Sequence, residues 1–220
     1  MIGDIIEAET RVRGSQIQIG FYRRFAKRLI DIVLVMLAMP AVIPIMIVLA
    51  ILIRADGGPA FYSQERVGLG GRTFRMWKLR SMVVDADQML QQLLDRDPDA
   101  RQEWEDTQKL KRDPRITPIG QAIRKTSLDE LPQVWNVLIG DMSLVGPRPF
   151  LPEQRSLYAG RDYYELRPGL TGPWQVNDRN GTSFSARATY DSQYYERLSL
   201  RTDAQILLET LSVVLRGTGY

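Results

Sequence analysis

The amino-acid sequence predicts an α+β fold, mainly helical, with a re-entrant, kinked membrane helix, a small β-hairpin and amphipathic helices at an interface. Three observations predict it. Residues 32–53 carry no charge. Two stretches rich in aromatic and extended-favouring residues, 61–67 and 72–82, flank Gly68-Leu69-Gly70-Gly71. Two later stretches, 85–110 and 200–215, repeat apolar residues at helical spacing. The chain then divides into a polar tail at 1–20, a membrane-inserted helix–break–helix at 21–54 and a cytoplasmic domain at 55–220.

The uncharged run amounts to roughly 33 Å of helix, against a hydrocarbon core of roughly 30 Å. It exceeds a signal-peptide core, and no small-residue cleavage site follows it. Pro40 and Pro44 interrupt it. Each removes a donor and crowds the preceding turn, so the sequence predicts a kink at Pro40. Arg23, Arg24, Lys27 and Arg28 precede the run and Arg54 follows it. Positive residues favour the cytoplasmic side. With both flanks basic, a hairpin entering and leaving on one face fits better than a straight span. Asp31 is expected at the interface with Lys27 or Arg28 as partner.

The chain has neither cysteine nor histidine. Disulfides, thiolate metal sites, imidazole bases and Ser-His-Asp triads are thereby excluded. A net charge of +3 does not point to nucleic acid. Gly68–Gly71 lacks the lysine and following helix of a phosphate loop and reads as a hairpin turn. On the second strand, Lys78 and Arg80 share a face with Phe74, Met76 and Met82. They are either snorkelling cations or a pair aimed at an anion. The stripe Met89, Leu90, Leu93 and Leu94 reads as core, with a break at Asp97-Pro98. The C-terminal stripe, Leu200, Ala204, Leu207, Leu208, Leu211, Val214 and Leu215, reads as core or as a helix on a membrane surface. Arg201, Asp203 and Glu209 fall away from it.

Residues 124–149, RKTSLDELPQVWNVLIGDMSLVGPRP, are the most informative. Ser127-Leu128-Asp129-Glu130 has capping-box spacing, but Pro132 would then lie past the first helical turn. With Asp129 as cap, Pro132 falls at the third position and the carboxylate sits at the positive helix end. Glu130 leaves in another direction, so one carboxylate can act as nucleophile while the other holds a metal or moves a proton. A plain helix cap also accounts for these residues. Arg148 lies between Pro147 and Pro149, held by a stiff backbone. It suits bidentate phosphate recognition or an ordinary surface turn. The segment 167–176, RPGLTGPWQV, is again stiff and aromatic, and Arg179-Asn180-Gly181 reads as a turn.

These residues resemble the bacterial sugar transferase family, the monotopic polyprenyl-phosphate phosphoglycosyl transferases. Lys27-Arg28 with Asp31 before the apolar run, the 76–82 string MWKLRSM, the 113–117 string DPRIT and the whole of 124–149 carry the resemblance. Residues 167–180 and the C-terminal helix continue it, and it reaches from Phe21 to the chain end. The tract 85–113, with Glu103-Trp104 and Lys109-Leu110, resembles the exopolysaccharide-initiating branch that transfers galactose or glucose phosphate. Two departures stand out. Met39 occupies a position before the kinking proline where the family often has serine, and Asp178 one where it often has glycine.

The resemblance implies an enzyme that moves hexose 1-phosphate from a UDP-sugar to undecaprenyl phosphate at the cytoplasmic face of the bacterial inner membrane, releasing UMP. It implies Asp129 as nucleophile, forming a covalent phosphosugar intermediate, and Glu130 with Asp129 as Mg²⁺ ligands. Glu130 is an alternative proton carrier. Arg124 and Arg148 would bind phosphates, Pro147 and Pro149 would shape the uridine end, and Lys78 and Arg80 would add to the anionic pocket. An ordinary aspartate is ionised at neutral pH and needs no activating base. The alternatives are a membrane-tethered module that binds nucleotide sugars or anionic lipid without catalysis, and the same enzyme acting on an N-acetylated UDP-sugar.

Overall fold

A computed structural model describes residues 20–107, 110–177 and 184–215. The polar tail short of Gly20, Asp178 and the Arg179–Gly181 turn lie outside the described residues. A π turn at Tyr22–Ala26 leads into helix α1, Lys27–Arg54. The apolar run lies within this one helix, with Pro40 and Pro44 inside it. Strands β1 (Phe61–Val67) and β2 (Thr73–Leu79) pair antiparallel, Phe61 opposite Leu79 and Val67 opposite Thr73. Gly70 and Gly71, at φ 66° and 76°, supply the left-handed backbone the predicted hairpin turn requires. Helices α2 (Ala86–Arg96) and α3 (Pro98–Thr107) follow as a pair, broken at Asp97 as predicted. Their stripe is no core: Leu90, Leu93 and Leu94 are half-buried and Met89 is exposed.

Helix α4 (Pro118–Lys125) starts with proline in its first turn behind Thr117, whose Oγ1 accepts from the Gly120 N–H at 2.9 Å. Helix α5 (Gln133–Ile139) ends at Gly140, φ 95°. Strands β3 (Ser143–Val145) and β4 (Gly169–Thr171) pair in parallel. Helices α6 (Pro173–Asn177), α7 (Arg187–Arg197) and α8 (Leu200–Leu215) complete the chain.

Helix α1 and the π turn before it enter three of the four apolar clusters. Tyr22 packs with Tyr194, Leu198 and Ile206. Val35 packs with Met76, Val134 and Val137, with Met39 and Val42 beside it. Ile53 packs with Ala60, Leu79 and Ile123. Its other face is bare: Leu29, Met36, Leu37, Ile47, Val48 and Ile51 are all exposed. Helix α8 repeats the pattern. Leu200, Leu208 and Leu211 are 56–66% exposed, while Ile206 and Asp203 face the body. Of the two readings of the leucine stripe, Leu207 alone packs on the core among these leucines while Leu200, Leu208 and Leu211 face outward, and Asp203, read as lying on the polar side, is buried. The reason is a partner invisible in the sequence. Asp203 Oδ2 accepts from Lys27 Nζ at 2.6 Å and from Tyr22 Oη at 2.7 Å, and its Oδ1 from Tyr194 Oη at 2.6 Å.

With Lys27 committed there, Asp31 takes neither predicted partner by hydrogen bond. It accepts from Ser143 Oγ at 2.7 Å and the Leu144 N–H at 3.1 Å. Arg28 turns to the carbonyls of Val137 and Leu138 at the end of α5. Removing one member of a buried ion pair strands the other, at a cost of about 3–5 kcal/mol. Asp203→Ala is therefore expected to lower the thermal midpoint in detergent sharply. The double variant Lys27→Met/Asp203→Leu recovers most of the loss; no recovery would mean that the pair's hydrogen bonds, rather than its isolated charge, set the cost.

Candidate active site

Asp129 and Glu130 lie on a short 3₁₀ turn, Leu128–Glu130, that connects α4 to α5. Ser127 enters the turn at φ 57° and caps nothing with its side chain. Neither predicted cap forms: α5 begins after Pro132, and Asp129 stands three residues ahead of that cap. The turn aims both carboxylates at β2. Lys78 Nζ lies 2.7 Å from Glu130 Oε1 and 3.4 Å from Asp129 Oδ2. Arg148 Nη2 stands 3.9 Å from Glu130 Oε1. Asp129 is buried.

Lys78 is placed by a residue the sequence reading passed over. Asn136, fully buried on α5, accepts from the Trp77 N–H at 3.0 Å and donates to the Arg75 carbonyl at 2.7 Å. Its amide thus fixes the register of β2 against the helix that follows the two carboxylates. On the other side, α4 meets the end of β2 backbone to backbone: a Cβ at Gly120 would lie 1.9 Å from the Ser81 carbonyl oxygen. That approach carries Arg124, whose charge acts on Asp129.

Arg80 does not join the cluster. Strand β2 ends at Leu79, and the Arg80 guanidinium is spent on Asp56 and on the carbonyls of Ile53, Pro59 and Met82. It clamps the C-terminal end of α1.

The turn 146–149 completes the site. Pro147 and Pro149 are buried while Arg148 is half-exposed. The turn sits where β3 and β4 backbones nearly touch: a Cβ at Gly169 would lie 2.1 Å from the Gly146 nitrogen, and one at Gly172 2.0 Å from the Gly146 oxygen. The guanidinium carbon of Arg148 is 5.9 Å from the Trp174 ring centre, and that of Arg187 is 4.1 Å from the same centre. Arg66 and Arg187, on both of which the Arg148 charge acts, border the site, and Gln175 follows Trp174 in α6. Arg66 Nε, Arg187 Nε and both amide atoms of Gln175 are buried without a hydrogen-bond partner. Buried polar atoms are seldom left so. Trp174-Gln175 lay in the stiff loop visible in the sequence, whereas no local pattern marked Arg66 or Arg187.

The charges are uneven. Burial pushes the Asp129 carboxyl above the usual carboxylate range, Glu130 adds to the rise, and Lys78 and Arg124 oppose it. The expectation of an ordinary carboxyl is corrected accordingly. Burial, reinforced by the Arg148 charge, lowers both Arg66 and Arg187 to about 10. Arg148 thus links the carboxylates to two further guanidinium groups, those of Arg66 and Arg187.

A family model described as "Bacterial sugar transferase" matches residues 22–217. The chain belongs to the bacterial sugar transferase family. It is 49% identical over 198 residues to the undecaprenyl-phosphate galactose phosphotransferase of Salmonella typhimurium, covering 89% of this chain and 42% of that protein. It is 40% identical over 197 residues to the exopolysaccharide production protein ExoY of Rhizobium meliloti, covering 88% and 87%. Against the UDP-glucose:undecaprenyl-phosphate glucose-1-phosphate transferase of Xanthomonas campestris it is 37% identical over 209 residues, covering 89% and 40%. The chain thus spans about two fifths of the length of several relatives and most of the length of ExoY.

Within this family member, the described residues contain no cluster of three or more acidic metal-ligating side chains. Asp129 and Glu130 alone are a lean donor set. They suit Mg²⁺, which commonly takes one or two carboxylates and completes its shell with water and substrate phosphates.

Behind Arg187, Asp191 accepts from Tyr158 Oη at 2.5 Å. Burial raises its pKa to about 7 from 3.8, against the hydrogen bond from Tyr158 and the charge of Arg187. The folded state then holds a proton that the unfolded chain has released between those values. That stabilisation is complete below about pH 4 and is lost as pH rises through 7. Between about pH 5 and 8 the loss is about 2–3 kcal/mol. Thermal midpoints across this range are expected to fall in the parent and to flatten in Asp191→Asn; equal slopes would remove Asp191 as the source.

Proposed function

We propose that this chain transfers galactose or glucose 1-phosphate from a UDP-sugar to undecaprenyl phosphate, the first step of exopolysaccharide repeat-unit assembly. One observation carries the reading: a carboxylate pair, Asp129 buried and Glu130 half-buried, bridged by Lys78 and flanked by Arg148, on a body that also bears an apolar helix. The names of the relatives supply the donor and acceptor classes.

The proposed chemistry balances without a histidine. An Asp129 carboxylate oxygen attacks the phosphorus that bears the sugar. The bond from that phosphorus to the bridging oxygen breaks, and UMP leaves with the electron pair. A mixed carboxylic–phosphoric anhydride remains on Asp129. A phosphate oxygen of the lipid then attacks the same phosphorus and restores the Asp129 carboxylate. Phosphoryl transfer of this kind depends chiefly on positioning and charge stabilisation. Lys78 holds both carboxylates in place and offsets their repulsion for an anionic donor. Arg148 lies between the carboxylates and Trp174, so it serves the diphosphate, while Arg66 and Arg187 serve the departing nucleotide. Arg124 tunes Asp129 through its charge. Glu130 and Asp129 would hold Mg²⁺, which supplies charge neutralisation on the phosphates.

The proposal includes seating on one membrane face, the cytoplasmic one. Both ends of α1 pack on the same body, Tyr22 against α7 and α8 and Ile53 against β2 and α4. A transverse span would place those two contacts on opposite sides of the bilayer. Pro40 and Pro44, inside α1, are where a re-entrant course would bend. The exposed face of α1, Trp135 and Ile139 on α5, and the leucines of α8 supply apolar area for the interface.

The test is the intact mass of purified protein incubated with Mg²⁺ and a panel of UDP-hexoses, without lipid. A hexose-phosphate adduct is expected, absent in Asp129→Asn. Nucleotide-sugar binding without adduct and without UMP release on adding lipid would instead make the chain a binding module. In steady state, Arg187→Gln is expected to raise KM for the UDP-sugar about tenfold or more with a smaller change in kcat. That follows from loss of a charge-assisted contact worth about 1.5–3 kcal/mol. An unchanged KM would take Arg187 out of the nucleotide site.

A further inference from the structure

A cavity of about 600 Å³ opens where α1 leaves the π turn. Its walls carry Arg23, Arg24, Lys27, Arg28 and Arg167 against the carboxylates of Asp31 and Glu165. None of the proposed catalytic residues lines it. We infer that it binds the phosphate-ester headgroup of an anionic membrane lipid.

The charges in the wall are only partly matched. Arg23 pairs with Glu165 at 2.9 Å and Lys27 with Asp203 at 2.6 Å. The Asp31 carboxylate is taken up by Ser143 and Leu144. Arg28 and Arg167 donate only to backbone carbonyls at the end of α5, Arg167 Nε reaching Gly140 at 3.0 Å. Neither they nor the exposed Arg24 pairs with a carboxylate among the described residues. A guanidinium has five donors. One bond from Arg167 and two from Arg28 leave most of them turned to the cavity or solvent. Such a wall is complementary to an anion.

The surroundings select a lipid as its source. Arg24 and Arg28 lie four residues apart, as do Arg23, Lys27 and Asp31, so these rows share the inward side of the helix. On the outward side Phe21, Phe25 and Leu29 are each about two-thirds exposed. The opposite wall carries Tyr194 and Leu198, and α8, which begins two residues later, shows Leu200, Leu208 and Leu211 to the outside. A basic cavity between two elements with bare apolar faces sits at phosphate depth once those faces meet a bilayer. Basic pockets beside membrane helices on the cytoplasmic side take anionic headgroups in this way.

The site is distinct from the carboxylate pair but mechanically joined to it. Ser143 and Arg167 stand at the entering ends of β3 and β4, while Arg148 and Trp174 follow their exits. Three residues of strand, roughly 10 Å, separate the two. A bound headgroup would therefore brace the strands that position Arg148.

The inference rests on the one-sided membrane seating proposed above and is independent of sugar transfer. The test uses the full chain in nanodiscs of phosphatidylcholine containing about 20% phosphatidylglycerol, released and weighed by native mass spectrometry. One phosphatidylglycerol is expected to be retained in preference to phosphatidylcholine. Retention should fall about fivefold in Arg24→Gln and tenfold or more in Arg24→Gln/Arg167→Gln, as expected for about one surface cation's contribution each. Arg24 is exposed and holds no structural bond among the described residues, so its variant folds and the comparison stays decisive. Equal retention by parent and variants would overturn the site, as would equal retention of the two lipids. Inorganic phosphate binding in lipid-free detergent with the same variant sensitivity would make it a free-phosphate site instead. A parent chain that does not enter these nanodiscs would refute the membrane seating, and this site with it.

Discussion

The arrangement depends on how one apolar helix is held against a small polar body. A helix of 28 residues with little internal polarity has no preferred azimuth from hydrophobicity alone, because almost any face will pack. Polar pins choose the face. Lys27, Tyr22 and Tyr194 converge on Asp203. Asp31 engages Ser143 and the Leu144 amide. At the far end Arg80 takes the Ile53 carbonyl. Buried charges are costly unless paired and hydrogen-bonded. Only one rotation of α1 satisfies all three contacts, and the opposite face is left bare by consequence.

The candidate site inherits that choice. Ser143, which holds Asp31, opens β3, and β3 runs into the Gly146–Pro149 turn that presents Arg148. Val35 packs on Val134 and Val137, setting α5, whose Asn136 fixes the strand that carries Lys78. The helix thus acts on both cations nearest the carboxylates without touching either. The glycine crossing of β3 and β4 has the same character. Side chains at Gly146, Gly169 or Gly172 would separate the strands and move Arg148 away from Glu130.

Much of this was legible in the chain before any coordinates. The hairpin with its glycine turn, the break at Asp97, and the gathering of Lys78, Asp129, Glu130 and Arg148 follow from local pattern and from family resemblance. What failed was long-range. Asp203 and Lys27 are 176 positions apart, so a helical wheel assigns Asp203 to solvent. Arg80 is two residues from Lys78, and alternation puts them on one face, but the strand ends at Leu79 and the rule ends with it. Asp129 looked like an N-cap because Pro132 fits a cap's spacing. A 3₁₀ turn ahead of the helix satisfies Pro132 equally well, and spacing alone does not separate the two. Arg66 and Arg187 carried no signal, since only tertiary packing brings them beside Trp174.

The resulting electrostatics suit the proposed reaction in a specific way. Burial disfavours the Asp129 anion, and a destabilised carboxylate is a stronger nucleophile than a well-solvated one. Lys78 opposes that rise with its charge and lies against both carboxylates. Further along, Arg148, Arg66 and Arg187 repel one another as long as no anion lies between them. The Arg148 charge acts on both of its neighbours, and like charges held together are strained electrostatically. A diphosphate relieves that strain, and so does the phosphate of departing UMP. The repulsion that the two carboxylates present to the donor is met by an attraction one residue further out. In the proposed reaction, negative charge would move from the Asp129 side toward the arginines around Trp174 as the bond to the nucleotide breaks.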